Sequence, residues 1–288
     1  MKKKGDTKTT AAKRVSTPGK GNISQELEDE IYEKRLLGKL DCLEKLNKSR
    51  SKRNIFIFHP NTGMLSQYKE LALELERKFN VYGIQVRGLK PGGKMPETPI
   101  HMLKDYTEQI LAFQKNGPYI LAGFCGGNIL AFEIGRILER QDQVVEKVIL
   151  IDAQLIVSDD CYKWHKRLKY LPRFFEKLLI YDSCNAFLKV MRKNNYFIKD
   201  DDDAAVRKQK VLNYMNMFCD NPIIFGSINA PLLVLLARDA IRDTVSQERF
   251  DRITGNGALL VKVPGDHDSI FEHPQVEKMA QAIIDNLC

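Results

Sequence analysis

One cysteine stands where an apolar run meets a pair of glycines. The stretch Gly123-Phe124-Cys125-Gly126-Gly127 has the pattern G-x-C-x-G, the cysteine counterpart of the G-x-S-x-G nucleophile elbow. A nucleophile on such a turn adopts a strained backbone conformation, so nearby positions must lack a Cβ for strand and helix to approach. A helix beginning at Gly126 would point free N–H groups at the sulfur and favour negative charge there. The pattern indicates a thiol placed for nucleophilic chemistry, and the alternative is a buried cysteine before a glycine turn.

A nucleophile of this kind needs a base, which is expected later in the chain. His267 lies in "PGDHDSIF", on a loop that follows the last predicted strand at the carboxyl edge of the sheet. His273 precedes Pro274, a position typical of a helix start. The other histidines fall at a strand end, a helix start and a predicted insertion; they are His59, His101 and His165. Position therefore favours His267 as the base, although most lone histidines are structural.

Two aspartates are candidates for the acid that orients this base. Asp152 ends the apolar strand "KVILID" directly after the elbow's helix, whereas Asp239, with Asp243 behind it, follows "PLLVLLA". Both positions can orient a histidine at the same sheet edge. Asp152 is favoured because a charged residue that abruptly ends an apolar strand requires a partner for its charge. Its expected role is to hold the imidazole tautomer and to stabilise the imidazolium.

The elements that must position these residues alternate along the chain. Continuous apolar runs predict strands at 54–60, 80–86, 118–124, 146–152, 230–237 and 258–263. Helical patterns predict helices at 65–79, 99–115, 126–141, near 245–253 and from about 274. Single helices between buried strands are typical of βαβ units, so we predict an α/β fold with a mostly parallel sheet. Residues from about 155 to 228 are aromatic, basic and helical in character, and we expect a lid over the carboxyl ends of the strands.

The residues before this alternation have a different composition. Residues 1–22 are basic and almost without apolar side chains, which predicts a disordered tail. Apolar residues then recur at helical spacing from about Ser24 to Asn47, so residues 23–50 are predicted to form an amphipathic N-terminal helix and a linker. The main domain is expected to span residues 51–288.

The bulk composition is that of a globular protein. Hydrophobic residues make up 43% and charged residues 28% of the chain, and the formal net charge is +8. No apolar stretch follows the basic start and no window approaches the roughly 18 apolar residues of a membrane span, so we expect neither a secretory signal nor a membrane partner. The six cysteines are scattered without a CxxC pair, which argues against zinc and against a disulfide framework. We therefore expect a cytoplasmic protein with a free thiol at Cys125 and no metal.

From Asn54 onward the sequence resembles the type I thioesterase domains that end nonribosomal peptide and polyketide synthetases, the assembly lines of natural product biosynthesis. The matching words are "IFIFHPNTG" (55–63), "YGIQVRGL" (82–89), "GPYILAGFCGGNILAFEIGRIL" (117–138), "VILIDA" (148–153) and "PGDHDSIF" (264–271). The lid matches only in length and helical character. The resemblance implies an α/β-hydrolase fold.

The resemblance also implies roles for individual residues. In that family the acid follows the strand after the elbow, which selects Asp152 to join Cys125 and His267 in a catalytic triad. The oxyanion hole would use the backbone N–H groups of Gly126 and Asn61. This chain departs from the family in two respects: most members carry serine at the position of Cys125, and residues 1–50 lack the carrier attachment motif expected before a terminal domain.

The activity implied by the resemblance is transfer from a carrier. An acyl or peptidyl chain would arrive as a thioester on the phosphopantetheine arm of a carrier domain, move onto Cys125 and be released, without a cofactor of the enzyme's own. An acyl-cysteine keeps its activation toward amines, so we expect release by amine attack, as macrolactam cyclisation. Hydrolytic release or editing to a free acid is the alternative, and a non-catalytic interaction module on a hydrolase scaffold is a remote one.

The predicted lid mixes basic and aromatic residues, as in "YKWHKRLKYLPRFF" (162–175). Such a surface suits nucleic acid, but it suits an acidic carrier domain equally well, and no nucleic-acid partner is expected. The basic edge that would meet the carrier consists of Lys163, Lys166 and Arg167. The apolar inner face that would exclude water consists of Trp164, Phe174, Phe175 and Leu178.

Overall fold

The computed structural model describes residues 30, 32–90, 92–153, 201–220, 226–238 and 246–288, with isolated positions between 185 and 199. The predicted basic tail, Asp239 and Asp243 lie outside the described residues. So do His165, the predicted basic edge and the predicted apolar inner face of the lid. The chain divides into two compact units, Met1–Lys39 and Leu40–Cys288.

Seven strands form one sheet among the described residues of the larger unit. They are β1 (Leu43–Lys45), β2 (Asn54–Phe58), β3 (Asn80–Ile84), β4 (Tyr119–Phe124), β5 (Val145–Ile151), β6 (Leu232–Ala237) and β7 (Ala258–Val263). Their spatial order is β1-β3-β2-β4-β5-β6-β7, and every pairing is parallel except that of β1 with β3. The six strands predicted from apolar runs are thus confirmed, and their carboxyl ends meet at one edge of the sheet.

Helices cover both faces of this sheet, and one of them, at Ala204–Asp220, contacts the loop after β2. They are α1 (Lys69–Glu74), α2 (Pro99–Phe113), α3 (Gly127–Arg140), α4 (Ala204–Asp220), α5 (Gln247–Asp251) and α6 (Gln275–Leu287). Side chains of β2 alternate between the two faces, as a pleated strand requires. Ile55 and Ile57 join an apolar cluster with α1 and α6. Phe56 and Phe58 instead contact aromatic rings of α2. The result is the α/β-hydrolase architecture that the sequence predicted.

The prediction for residues 23–50 is wrong in its second half. The chain is helical at 32–37, but the helix ends at Gly38, whose N–H donates to Lys34 O, and it does not reach Asn47. Residues Leu43–Lys45 instead form β1, with Leu43 opposite Ile84. Glycine is a poor helix former and ends the helical segment there. The main domain therefore begins about ten residues earlier than predicted.

The buried side chain of Asn47 holds this early segment to the domain. Its Nδ2 donates to the carbonyl oxygens of Ala72 and Phe79, at 2.8 and 3.0 Å, and its Oδ1 accepts from Val81 N at 3.2 Å. A buried amide with three partners fixes the chain beside β3. This contact pattern joins residues far apart in sequence, so helical spacing alone could not reveal it.

Candidate active site

Cys125 occupies a strained turn between β4 and α3. Its φ is 54°, a left-handed conformation that non-glycine residues rarely adopt. A Cβ on Gly123 would lie 2.1 Å from Gly127 O, and a Cβ on Gly127 would lie 2.5 Å from Phe58 O. Only glycine fits at both positions, since a side chain would collide with backbone. The prediction that the glycines of G-x-C-x-G permit close approach of strand and helix is confirmed.

The turn places the half-buried Cys125 side chain just before the first turn of a long helix. Gly126 is the residue that precedes α3, and the helix is capped there without a side chain. The backbone N–H groups of a helix start and the helix dipole both favour negative charge nearby. The local environment therefore suits a thiolate or an oxyanion next to this cysteine.

His267 lies on the loop after β7 and contacts both of its predicted partners. Its Nδ1 is 2.6 Å from Asp152 Oδ2. The hydrogen bond to Asp152, followed by a hydrogen bond to Cys125, raises the pKa of His267 to about 10. The Asp152 side chain is 2% exposed, whereas the His267 side chain is 45% exposed. A buried carboxylate thus holds one ring nitrogen, and the ring remains open toward solvent.

Asp152 is itself held by the neighbouring strand β6. Its N–H donates to Leu235 O at 2.7 Å, and its Oδ1 accepts from Ala237 N at 3.3 Å. The residue has φ 48°, so the backbone turns sharply where β5 ends. One carboxylate oxygen therefore faces β6 and the other faces His267, which fixes the orientation of the group.

Asn128 links the elbow to the acid and was not predicted as a site residue. Its Nδ2 donates to Ile151 O at 2.8 Å, and its Oδ1 accepts from Ile151 N at 3.0 Å. The side chain is almost fully buried on α3, three residues after Cys125. This pair of hydrogen bonds ties the end of β5 to the helix that follows the nucleophile. An asparagine within the apolar run "GGNILAF" was the signal in the sequence.

Aromatic rings pack against the inner face of the His267 imidazole. Phe124 stacks on His267, with centroids 4.5 Å apart and an interplanar angle of 30°. Phe271 meets Phe124 edge to face at 4.8 Å, and it meets Tyr68 in the same manner at 5.4 Å. The Tyr68 hydroxyl donates to Phe58 O at 2.7 Å. These contacts restrict the ring plane of His267 without covering its solvent side.

Asn61 lies on the loop after β2, the strand that neighbours β4. Its Nδ2 donates to Asn216 Oδ1 on α4 at 2.9 Å, so the loop contacts the described part of the predicted lid. The same loop packs against the elbow, because Gly127 backs onto the carbonyl oxygens of Phe58 and His59. The structure thus brings the candidate oxyanion residues Asn61 and Gly126 to neighbouring segments of the same sheet edge.

The remaining described histidines lie elsewhere. His59 is buried against Tyr106, His101 contacts its helix-capping residue Thr98, and His273 bridges two glutamates on the surface. Within the described residues no group of three or more His, Cys, Asp or Glu side chains is arranged to hold a metal ion. No helix among them is both long and apolar enough to cross a membrane.

The site combines three groups with complementary chemical roles. A thiol on a strained turn lies beside a histidine whose other nitrogen is held by a buried carboxylate. An arrangement of this kind is chemically suited to nucleophilic catalysis, with the thiol to attack, the histidine to move a proton and the carboxylate to orient it. The same edge also carries backbone N–H groups of a helix start, which suit a developing oxyanion.

Known proteins are similar in sequence to this chain over most or part of its length. Residues 53–287 match the thioesterase domain family. A mycosubtilin synthase polypeptide of Bacillus subtilis is 25% identical over 83% of this chain and 8% of its own length. Malpinin synthetase of Mortierella alpina is 34% identical over 39% of this chain and 2% of its own length. The chain thus corresponds to less than a tenth of each of these two proteins.

Two solved structures share the fold over most of the chain. The Vlm2 thioesterase domain bound with a dodecadepsipeptide has a TM-score of 0.61 and 19% identity, covering 86% of this chain and 98% of that one. The thioesterase domain that cyclises the lipopeptide antibiotic surfactin has a TM-score of 0.60 and 20% identity, covering 86% and 96%. Because the family match spans nearly all of the larger unit, this chain belongs to the thioesterase domain family.

Proposed function

We propose that this protein is a releasing thioesterase that carries its acyl or peptidyl chain on Cys125. The observation that carries the proposal is the contact of His267 Nδ1 with the buried Asp152 at 2.6 Å, beside Cys125 on its strained turn. The substrate is a thioester on the phosphopantetheine arm of an acyl or peptidyl carrier domain. The synthetases among the relatives support this choice of substrate class.

The first step is transfer between two sulfur atoms. Cys125 Sγ attacks the thioester carbonyl, and His267 holds the proton that the thiol gives up. The new carbon–sulfur bond converts the carbonyl oxygen into an oxyanion. When the C=O re-forms, the bond to the pantetheine sulfur breaks and His267 returns the proton to that leaving thiolate. Asp152 stabilises the imidazolium between these two events. The backbone N–H groups of Gly126 and Asn61 hold the oxyanion.

The second step is attack by an amine of the same chain, which gives a macrolactam. One thioester replaces another in the first step, so the acyl group on Cys125 stays activated toward nitrogen. Water is present at roughly 55 M, and a bound amine competes only through the large effective molarity of held geometry. The amine's nitrogen forms the new bond to carbon as the bond to Cys125 Sγ breaks, and His267 takes the amine's proton.

Hydrolysis to a linear acid is the second candidate, because water can replace the amine in the same geometry. A relative that cyclises surfactin supports ring formation in this fold, yet the family name itself describes thioester cleavage. A non-catalytic interaction module is the third candidate. The convergence of a thiol on a strained turn, a histidine and a buried carboxylate from three separate segments argues against it, because packing alone does not require these three groups together.

The covalent step is tested with an N-acetylcysteamine thioester and intact-protein mass spectrometry. We expect wild-type protein to gain one acyl group and Cys125→Ala to gain none. Cys288→Ala is the matched control, because Cys288 is an exposed free thiol far along the chain, and it should acylate like the wild type. An adduct that survives in Cys125→Ala would overturn the assignment of the nucleophile. Absence of any wild-type adduct would favour the non-catalytic module.

The release step is tested by a product ratio. A thioester substrate with a terminal amine should give mainly cyclic amide with the wild type. Cys125→Ser should still load the substrate but shift products toward linear acid, because an oxygen ester is a poorer acyl donor to nitrogen. Linear acid as the sole wild-type product from such a substrate would replace cyclisation by hydrolysis.

A further inference from the structure

The mechanism leaves one buried histidine unused. His59 directly follows β2, is 0% exposed, and lies two residues before Asn61. Its Nδ1 is 2.8 Å from Pro60 O, and its Nε2 is 2.8 Å from the hydroxyl of Tyr106 on α2. Both ring nitrogens are therefore engaged, in a place that water does not reach.

These contacts define which nitrogen carries the proton. A carbonyl oxygen can only accept, so Nδ1 must be the N–H that donates to Pro60 O. A neutral imidazole then has a bare Nε2, and the Tyr106 hydroxyl must donate to it. Burial lowers the pKa of His59 to about 4, so the ring is neutral at physiological pH. His59 is therefore a fixed dipole, and it does not move protons in the reaction.

The His59 ring holds the peptide bond that joins Pro60 to Asn61. Pro60 O also accepts from Gly63 N at 2.9 Å, so two donors hold this one carbonyl. The peptide unit is planar and normally trans, which directs its C=O and the following N–H in opposite directions. Holding Pro60 O therefore sets the direction of the Asn61 N–H. Proline adds to the rigidity because its ring restricts φ.

We propose that His59 and Tyr106 are positioning residues that orient the Asn61 N–H as an oxyanion donor. The inference rests on the proposed function, since it needs an oxyanion at Cys125. The Tyr106 hydroxyl connects α2 to the loop through its hydrogen bond to His59. His59 in turn holds the peptide bond between Pro60 and Asn61. A merely structural pair would stabilise the fold without any preference for reactions that pass through an oxyanion.

Two reactions of the same thiol separate these roles. Acylation by an N-acetylcysteamine thioester forms an oxyanion, whereas alkylation by iodoacetamide displaces iodide at carbon and needs no oxyanion hole. Removing one oxyanion-hole donor from a serine protease slows turnover by roughly 10² to 10³. In His59→Leu the Asn61 N–H should be misdirected, so acylation of Cys125 should slow at least ~10-fold. Alkylation of Cys125 should stay within about twofold of the wild type. His59→Asn should stay within about threefold in both, because its Nδ2 can replace Nδ1 as the donor to Pro60 O.

Tyr106→Phe gives an independent test that removes only a hydroxyl. It should slow acylation more than alkylation, and Tyr119→Phe should change neither. Tyr119 is the matched control because its buried hydroxyl bonds Gln114 O at the other end of β4. Should His59→Leu fail to fold, Tyr106→Phe decides. Equal slowing of both reactions, or wild-type acylation in Tyr106→Phe and His59→Leu, would overturn the inference. Wild-type acylation on Cys125 reports separately on the proposed function.

Discussion

Two histidines follow parallel strands at the same edge of this sheet, yet their surroundings give them opposite properties. His267 has a carboxylate partner and an open face, and its pKa is raised to about 10. His59 has a carbonyl and a hydroxyl as partners and no exposed surface, and its pKa is lowered to about 4. Partner charge and burial therefore decide whether a histidine suits proton transfer or holds a backbone dipole.

The largest effect should follow loss of the open histidine. His267→Gln should slow acylation of Cys125 by about 10² to 10⁴, the usual contribution of a general acid and base. His273→Gln is the matched control, since His273 is also ion-paired but lies on the surface between Glu70 and Glu277. The acylation rates of His267→Gln and His273→Gln should therefore differ by nearly the full factor of about 10² to 10⁴. Similar acylation rates in the two variants would show that His267 is no more important for the reaction than the surface residue His273.

Asp152→Asn should have the next largest effect. We expect acylation to slow by ~10 to 100-fold, less than in serine enzymes, because a thiol yields its proton more readily than a hydroxyl. The pKa of His267 should also fall, since the hydrogen bond to Asp152 is the main cause of its rise. Ring NMR titration and single-turnover kinetics measure both. Asp239→Asn is the comparison, and greater damage there would show that the acid is Asp239.

The two histidines should affect stability with opposite dependence on pH. For His267 the folded pKa of about 10 exceeds the unfolded value of about 6.5, so its stabilisation is complete below about 6.5 and is lost as pH rises toward 10. For His59 the folded pKa of about 4 lies below about 6.5, so stability is lost as pH falls through that window.

Chemical denaturation of the wild type and of single variants measures this contrast. The wild type should lose stability relative to His267→Gln between about pH 6.5 and 10. It should lose stability relative to His59→Asn between about pH 6.5 and 4. If the unfolding free energies of wild type and variant changed equally with pH in either window, the environment of that histidine would differ from the one described.

The smallest effect is expected at the surface ion pairs of His273. The side chain is half exposed and its carboxylate partners are similarly exposed, so water screens the attraction. His273→Gln should leave the free energy of unfolding close to that of the wild type, because exposed ion pairs contribute little. A larger loss would show that the link between α1 and α6 is a structural contact rather than a surface pair.

The prediction from sequence succeeded where local pattern carries the information. Continuous apolar runs predicted six strands, and the glycines of G-x-C-x-G predicted the turn at Cys125. Both features depend on residues that are neighbours in the sequence. Sequence pattern failed at Leu43–Lys45, where Leu43, at helical spacing from Leu36 and Leu40, belongs to an antiparallel edge strand. Three residues are too few for a period to distinguish strand from helix.

Only the tertiary structure decided which distant groups meet. Asp152 and His267 are separated by 115 residues, and His59 and Tyr106 by 47, so their contacts depend on strand order and helix placement. The sequence placed His59 at a strand end and His267 on a loop, and it favoured the second as a base on position alone. It could not reveal the dry pocket beside Tyr106, because burial and partner charge arise only when separate segments of the chain pack together.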